Sequence, residues 1–311
     1  MERRDFFKKA IGTGLIAGAA LKLTGYNALF AAENTTSTAA PGDKIDLVAV
    51  MGGEPDVMFD KGIAELGGMQ AFVKPGQTVV VKPNIGWDQP VEVGANTNPV
   101  LVKRIIQHCF NAGAKEVYVF DNTCDKWMNC YKNSGIEQAV KDAGGKLVPA
   151  DSKNYYREVS IPNGVNLKKA EVHEKILDCD VFINVPILKD HKGGRISVCM
   201  KNLMGIIENR YWWHGHNLHQ CIADFATYSK PALNVVDAYR VMLKNGPRGI
   251  SSEDCVIKKS LLISTDMVAA DAAAAKIYGI EPDEVEYIKL AHAMKVGNKN
   301  LTELNIKRIK V

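Results

Sequence analysis

The sequence has no C-x-x-C pair. Its seven cysteines, at positions 109, 124, 130, 179, 199, 221 and 255, stand apart from one another, so an iron–sulfur cluster is not expected. There is also no apolar run of the roughly 20 residues that a bilayer-spanning helix requires. Ile11 to Leu21, the best candidate, is 11 residues long, is diluted by glycine and alanine, and ends at Lys22. A basic run interleaved with aromatics is missing too, which leaves no footprint for a nucleic-acid partner. Neither an internal repeat nor an obvious linker divides residues 44–311.

What is present reads as a globular protein with a substantial core: 311 residues, 46% hydrophobic and 24% charged. At the N-terminus Arg3-Arg4 precede Phe6-Phe7-Lys8 and the short apolar run, the pattern of a twin-arginine export signal. A membrane anchor is the alternative, and the shortness of the run argues against it. No cysteine lies in or just after the run, against a lipoprotein. Residues 1–32 are therefore expected to be a cleaved signal that engages the twin-arginine export machinery, 33–44 a Thr/Ser/Ala/Pro/Gly linker, and 45–311 one domain residing in the periplasm or otherwise outside the cytoplasm. Residues 1–32 carry five basic and two acidic side chains, a net of +3, so the formal +4 of the whole chain falls to +1 on their removal. A nearly neutral body offers no long-range field to attract a polyanion.

From residue 45 the pattern alternates. Strands are expected at Asp46–Met51, Thr78–Lys82, Glu116–Phe120, Lys146–Val148, Val181–Val185, Leu233–Val236, Ser260–Ile263 and Asn305–Lys310, with helices near Pro55–Leu66 and at Pro99–Ala112, Ile136–Ala143, Val268–Tyr278 and Asp283–Met294. Asn98-Pro99 supplies a cap and a first-turn proline, and Gly113 and Gly144 follow the last apolar positions of their helices. Tyr155 to Leu167 reads as a hairpin-like insertion. This order predicts an α/β fold, a mostly parallel sheet with helices on both faces and some antiparallel additions. Cys109 falls at helical spacing with Leu101, Val102, Ile105 and Ile106, as a buried small hydrophobe would. Cys124 and Cys130 flank Trp127 and can form a disulfide in an oxidising compartment; the odd count leaves at least one free thiol.

Five apolar strands run into polar residues: Lys82-Pro83-Asn84, Asp121-Asn122, Lys189-Asp190-His191, Asp237, and Thr265-Asp266. Ligands of open parallel sheets bind at the carboxyl ends of the strands, so Lys82, Asn84, Asp121, Lys189, His191, Asp237 and Asp266 are expected to face one crevice. Helix capping and turn formation are the alternative for each Asp or Asn, whereas a lysine is a poor cap. The 44 residues from Val181 to Asp224 concentrate four of the seven histidines, five Lys or Arg residues and a Trp-Trp pair. His214, His216 and His219 stand at a spacing that lets imidazoles converge on a divalent metal, or that simply places them on a surface. Gly193-Gly194 allows backbone N–H groups to approach an anion, with Arg195, Lys201 and Asn202 as further ligand-binding candidates, or else forms a turn between strands.

Lys82-Pro83-Asn84, Leu188-Lys189-x-His191, Lys201-Asn202-Leu203-Met204-Gly205, Leu218-His219 through Ile222-Ala223-Asp224, Val236-Asp237, Gly246-Pro247-x-Gly249 and Asp266-x-Val268-Ala269-x-Asp271 together resemble the family known as domain of unknown function 362. The resemblance covers most of residues 45–280. Some members carry ferredoxin-like modules, and the absence of such a cysteine cluster here removes the electron-transfer implication. Ala238 and Met267 also depart from the family's usual glycine and proline. His191 with Gly193-Gly194-Arg195 is similar, over a short stretch, to the nickel-dependent lactate racemase group. Three functions are consistent with these readings: an enzyme acting on a small acidic or phosphorylated molecule, with Lys189 and His191 as acid and base; a non-catalytic receptor for such an anion; and a metal-cofactor or redox carrier.

Overall fold

The computed structural model describes Leu29 and residues 44–311. Leu29 and Lys44 apart, the expected export signal and linker lie outside the described residues. The strands are β1 (Leu47–Met51), β2 (Thr78–Pro83), β3 (Glu116–Val119), β4 (Lys146–Leu147), β5 (Tyr156–Ser160), β6 (Lys169–His173), β7 (Val181–Val185), β8 (Ile187–His191), β9 (Arg195–Ser197), β10 (Leu233–Met242), β11 (Cys255–Ser264) and β12 (Ile306–Lys310). The main sheet runs β12-β1-β11-β10-β7-β2-β3-β4, and β8 pairs with both β10 and β9. Pairing is parallel at β1/β12, β7/β10, β2/β7, β2/β3, β3/β4 and β8/β10. It is antiparallel at β1/β11, β10/β11 and β8/β9. The sheet is thus mostly parallel and mixed, as the alternating pattern predicts. The insertion expected at Tyr155–Leu167 contains only the first strand of the separate β5/β6 hairpin, whose second strand lies beyond it at Lys169–His173.

Alternate residues of each central strand enter different cores, because successive side chains of a strand point to opposite faces. Val79 and Val81 join one apolar layer with Val117 and Val119, while Val80 joins the other with Phe120 and Phe182. The first layer is covered by α1 (Pro55–Glu65), α2 (Pro99–Asn111), α3 (Trp127–Asn133) and α4 (Ile136–Asp142). After the short α5 (Glu174–Asp178) and α6 (Cys199–Asn202) and then α7 (Arg210–Gly215), the second layer is covered by α8 (Leu218–Tyr228), α9 (Met267–Tyr278) and α10 (Glu286–Ala293). Each fully buried valine or isoleucine in these layers contributes roughly 1.5–3 kcal/mol relative to exposure.

The helix starts follow the local chemistry. Asn98 caps α2 by accepting the Val100 N–H at 2.9 Å, with Pro99 in the first turn. Cys109 packs on the sheet side of α2, and burial pushes its thiol up to about 12. Cys130, on the inner side of α3, is likewise buried, while Cys124 is exposed; both are free thiols, not joined in the disulfide their spacing would allow. α3 turns Cys130 into the core beside Tyr131 and leaves Cys124 in the loop before it.

Candidate active site

Because β2, β3, β7, β8 and β10 run the same way, their carboxyl ends meet at one edge of the sheet. There a cleft of ≈ 410 Å³ opens, lined among others by Lys82, Asn84, Asp121, Cys124, Lys189, His191, Lys201, Asn202, Arg210, Tyr211 and His214. A second cavity of ≈ 460 Å³ lies between α7 and the β5/β6 hairpin against Trp212 and Trp213, but it has no buried titratable group in its wall. The buried titratable groups line the cleft instead.

Lys82 is 1% exposed, and its Nζ lies 2.9 Å from Asp121 Oδ1. Asp121 is fixed in turn by the Ile85 N–H, which donates to Oδ2 at 2.6 Å. Burial lowers the Lys82 pKa, and Asp121 opposes that shift. Gly205 closes over this pair so tightly that a Cβ there would sit 1.8 Å from Asp121 Oδ1, which explains why the Leu203-Met204-Gly205 turn needs glycine. Asn202 joins the parts. Its Oδ1 accepts from Lys82 Nζ at 2.8 Å and from Asn84 Nδ2 at 3.1 Å, and its Nδ2 donates to Asn184 Oδ1 at 2.9 Å. Asn184 passes the chain on to Asn234 Oδ1 at 3.0 Å. Satisfied amides of this kind stiffen a buried site, since each group has a partner only in one arrangement.

Lys189, also 1% exposed, donates to Asn84 Oδ1 at 3.1 Å and to the Ala95 carbonyl. No carboxylate balances it directly, and burial brings its pKa down to about 7. Lys201 comes down to about 8, chiefly through burial, with Arg210 and Lys82 adding to the shift. Arg210 is anchored through the carbonyls of Asn122 and Thr123. His191 Nδ1 accepts the backbone N–H groups of Gly193 and Gly194 at 3.1 and 2.9 Å, so the β8/β9 turn consumes that nitrogen and leaves Nε2–H for the cleft. The network assigns this tautomer. Burial and the neighbouring lysines push the His191 pKa down to about 2, and His214, stacked at 6.4 Å between ring centroids, is lowered as well, first by burial. The site is therefore a cationic chamber with one internal counter-charge, a neutral histidine that can donate a hydrogen bond, and amines that titrate near neutrality.

The structure gathers Lys82, Asn84, Asp121, Lys189, His191, Lys201, Asn202 and His214. It does not bring the other expected residues to the cleft. Asp266 stands at the opposite edge, because β11 runs against its neighbours and pairs its last residue, Ser264, with Leu47 at the start of β1. Its carboxylate caps α9 through the Val268 and Ala269 N–H groups. Asp237 is buried beneath α2, where it accepts the Asn98 and Tyr239 N–H groups at 2.8 and 3.0 Å, and burial raises its pKa to about 6. Arg195 is exposed and lies over the Tyr278 ring. The expected triad of His214, His216 and His219 does not assemble: His216 stacks on Trp212, and His219 stacks on Tyr287. Among the described residues no three His, Cys, Asp or Glu side chains are grouped as metal ligands. The sequence reading missed Arg210, Tyr211 and Cys124 as cleft residues, and Asn184 and Asn234 as its support. An asparagine inside each of two apolar strands, Val181–Val185 and Leu233–Val236, was the available signal for the last two.

A thylakoid-associated protein of Synechocystis is 25% identical over 225 residues, which make up 70% of this chain and 68% of that protein. Two solved structures are similar at low level. One is a protein of Thermotoga maritima (TM-score 0.44, 11% identity, 78% of this chain and 60% of that one). The other is the lactate racemase apoprotein of Thermoanaerobacterium thermosaccharolyticum (TM-score 0.40, 12% identity, 71% of this chain and 55% of that one). The chain thus spans somewhat over half the length of each. The model of the family described as domain of unknown function (DUF362) matches residues 79–276, which include every residue named in the cleft, and this chain belongs to that family.

Proposed function

We propose that the protein is an enzyme that performs acid–base chemistry on a small organic anion, a carboxylate or a phosphate ester. The observation that carries this reading is the charge imbalance of the cleft: Lys82, Lys189, Lys201 and Arg210 converge there, and among the described residues Asp121 is the one carboxylate in its wall. Buried amines without counter-charge are unfavourable in the empty protein and favourable once an anion arrives. Lys189, whose pKa lies at about 7, is suited to take and return a proton at neutral pH. The neutral His191 offers Nε2–H to an oxygen on which charge develops, an electrophilic rather than a basic role. Binding is tested by calorimetry with inorganic phosphate and with lactate, using glycerol as the uncharged control. Saturable binding of an anion is expected and absence of any such binding rejects the reading. Deuterium uptake from D2O into a bound acid separates an enzyme from a receptor, which would bind without exchange.

We further propose that the protein is exported from the cytoplasm, a reading supported by Arg3-Arg4 ahead of a weakly apolar run. Replacing both arginines with lysine is expected to hold the precursor inside the cell; undiminished export would remove this part of the proposal.

A further inference from the structure

Three of the four cations in the cleft hold on to the protein. Lys82 has Asp121 and Asn202, Lys189 has Asn84 and the Ala95 carbonyl, and Arg210 has two backbone carbonyls. Lys201 differs. It is 8% exposed, its Cε runs past Gly194, and among the described residues its Nζ meets no hydrogen-bonding or ion-pair partner. A primary amine that is desolvated, ringed by other cations and given no acceptor is held toward its neutral form, and the neutral form is a nucleophile. Burial acts on Lys201 most strongly in this sense, Arg210 and Lys82 add to it against an opposing pull from Cys124, and its pKa falls to about 8.

Building on the anion site proposed above, we infer that Lys201 forms an imine with its ligand, which is then a small carbonyl compound bearing a carboxylate or a phosphate. The Nζ lone pair adds to the carbonyl carbon, forming the C–N bond while the carbonyl π-pair moves to oxygen and takes up a proton. The resulting carbinolamine loses its hydroxyl with a proton as one molecule of water, and the nitrogen lone pair closes the C=N bond. Nothing is oxidised or reduced. His191 Nε2–H is placed to hydrogen-bond the carbonyl oxygen as it gains charge, and the anionic group faces Arg210. A protonated imine withdraws electrons from the adjacent carbon, so a neighbouring C–H bond becomes acidic enough for Lys189 to exchange its proton.

Sodium borohydride reduces an imine to a stable secondary amine and so tests the inference directly. The wild-type protein is incubated with pyruvate in one arm and dihydroxyacetone phosphate in the other, reduced, and mapped by tryptic digestion and mass spectrometry. One adduct on Lys201, with loss of tryptic cleavage there, is expected in at least one arm, and which arm responds tells a carboxylate from a phosphate ligand. Lys201→Met, checked by thermal melting to be folded, is expected to lose that adduct. Adducts scattered over exposed lysines, an adduct on Lys189 instead, or no adduct overturns the inference. Lactate lacks the ketone carbonyl and distinguishes the two levels: binding of lactate without trapping of either ketone rejects the imine and leaves the anion site standing, whereas failure of both rejects both.

Discussion

Lys82 and Lys201 are both buried amines of one cleft, yet their removal is expected to act in opposite directions. Lys82 is paired with Asp121 at 2.9 Å, both nearly inaccessible, so Lys82→Met leaves a carboxylate buried without its cation. Breaking one side of such a pair typically costs about 3–5 kcal/mol. Lys201 has no partner to abandon. Lys201→Met exchanges a desolvated amine for an apolar side chain of similar length, and the variant is expected to be as stable as the wild type or more so while losing anion binding. Urea denaturation of the two variants side by side decides the matter. A Lys201→Met variant destabilised as much as Lys82→Met would make Lys201 part of the scaffold.

At the scale of elements, the direction of a single strand reassigns a residue that looked functional. The run Leu261-Leu262-Ile263-Ser264 before Thr265-Asp266 has the same form as the runs ending at Lys82 and Asp121, and periodicity carries no information about strand direction. β11 is antiparallel to both neighbours, so its end reaches the edge remote from the cleft. Asp266→Ala is accordingly expected to remove the cap of α9, at about 0.5–2 kcal/mol, and to leave anion binding unchanged; weakened binding at full stability would return Asp266 to the site. The strands and helices themselves were legible wherever a period of 2 or 3.6 ran between glycine or proline signals. Thr78–Pro83 and Pro99–Asn111 lie within one residue of the expected spans. Lys82 and Lys189 were legible because a lysine at the end of an apolar strand, unlike an aspartate, is a poor helix cap. Arg210 was visible only as a member of a polar, aromatic cluster, and His214 only as part of a histidine triad that does not assemble. α7 is a short helix after a turn, and which of its faces meets the cleft depends on tertiary packing that no local pattern encodes.

For the whole molecule, a cleft that buries amines without counter-charge leaves a mark on stability against pH. Lys189 in the folded protein has a pKa of about 7 and Lys201 of about 8, each lowered from 10.5, with burial as the first cause. Between those values and 10.5 the unfolded chain carries protons that the folded protein has shed. Stability therefore rises with pH across that window, and the penalty is fully present below it. The groups facing these amines are Lys82, Arg210, His191, His214, Asp121 and Cys124. Other buried groups pull the opposite way: Asp271 is raised to about 7, and buried thiols such as Cys109 to about 12 from 9.0, so their folded forms retain protons that the unfolded chain loses. Those contributions are common to the wild type and to a Lys189→Met, Lys201→Met double variant and cancel in the difference between them. From about pH 7 to about pH 8 the wild type is expected to gain roughly 1 kcal/mol more than the double variant, by proton linkage at the two amines. Urea denaturation of both proteins at the two pH values measures this gain. Equal pH dependence would mean that the two lysines keep their protons in the folded protein across this range, which removes the physical reason for expecting an anion in the cleft.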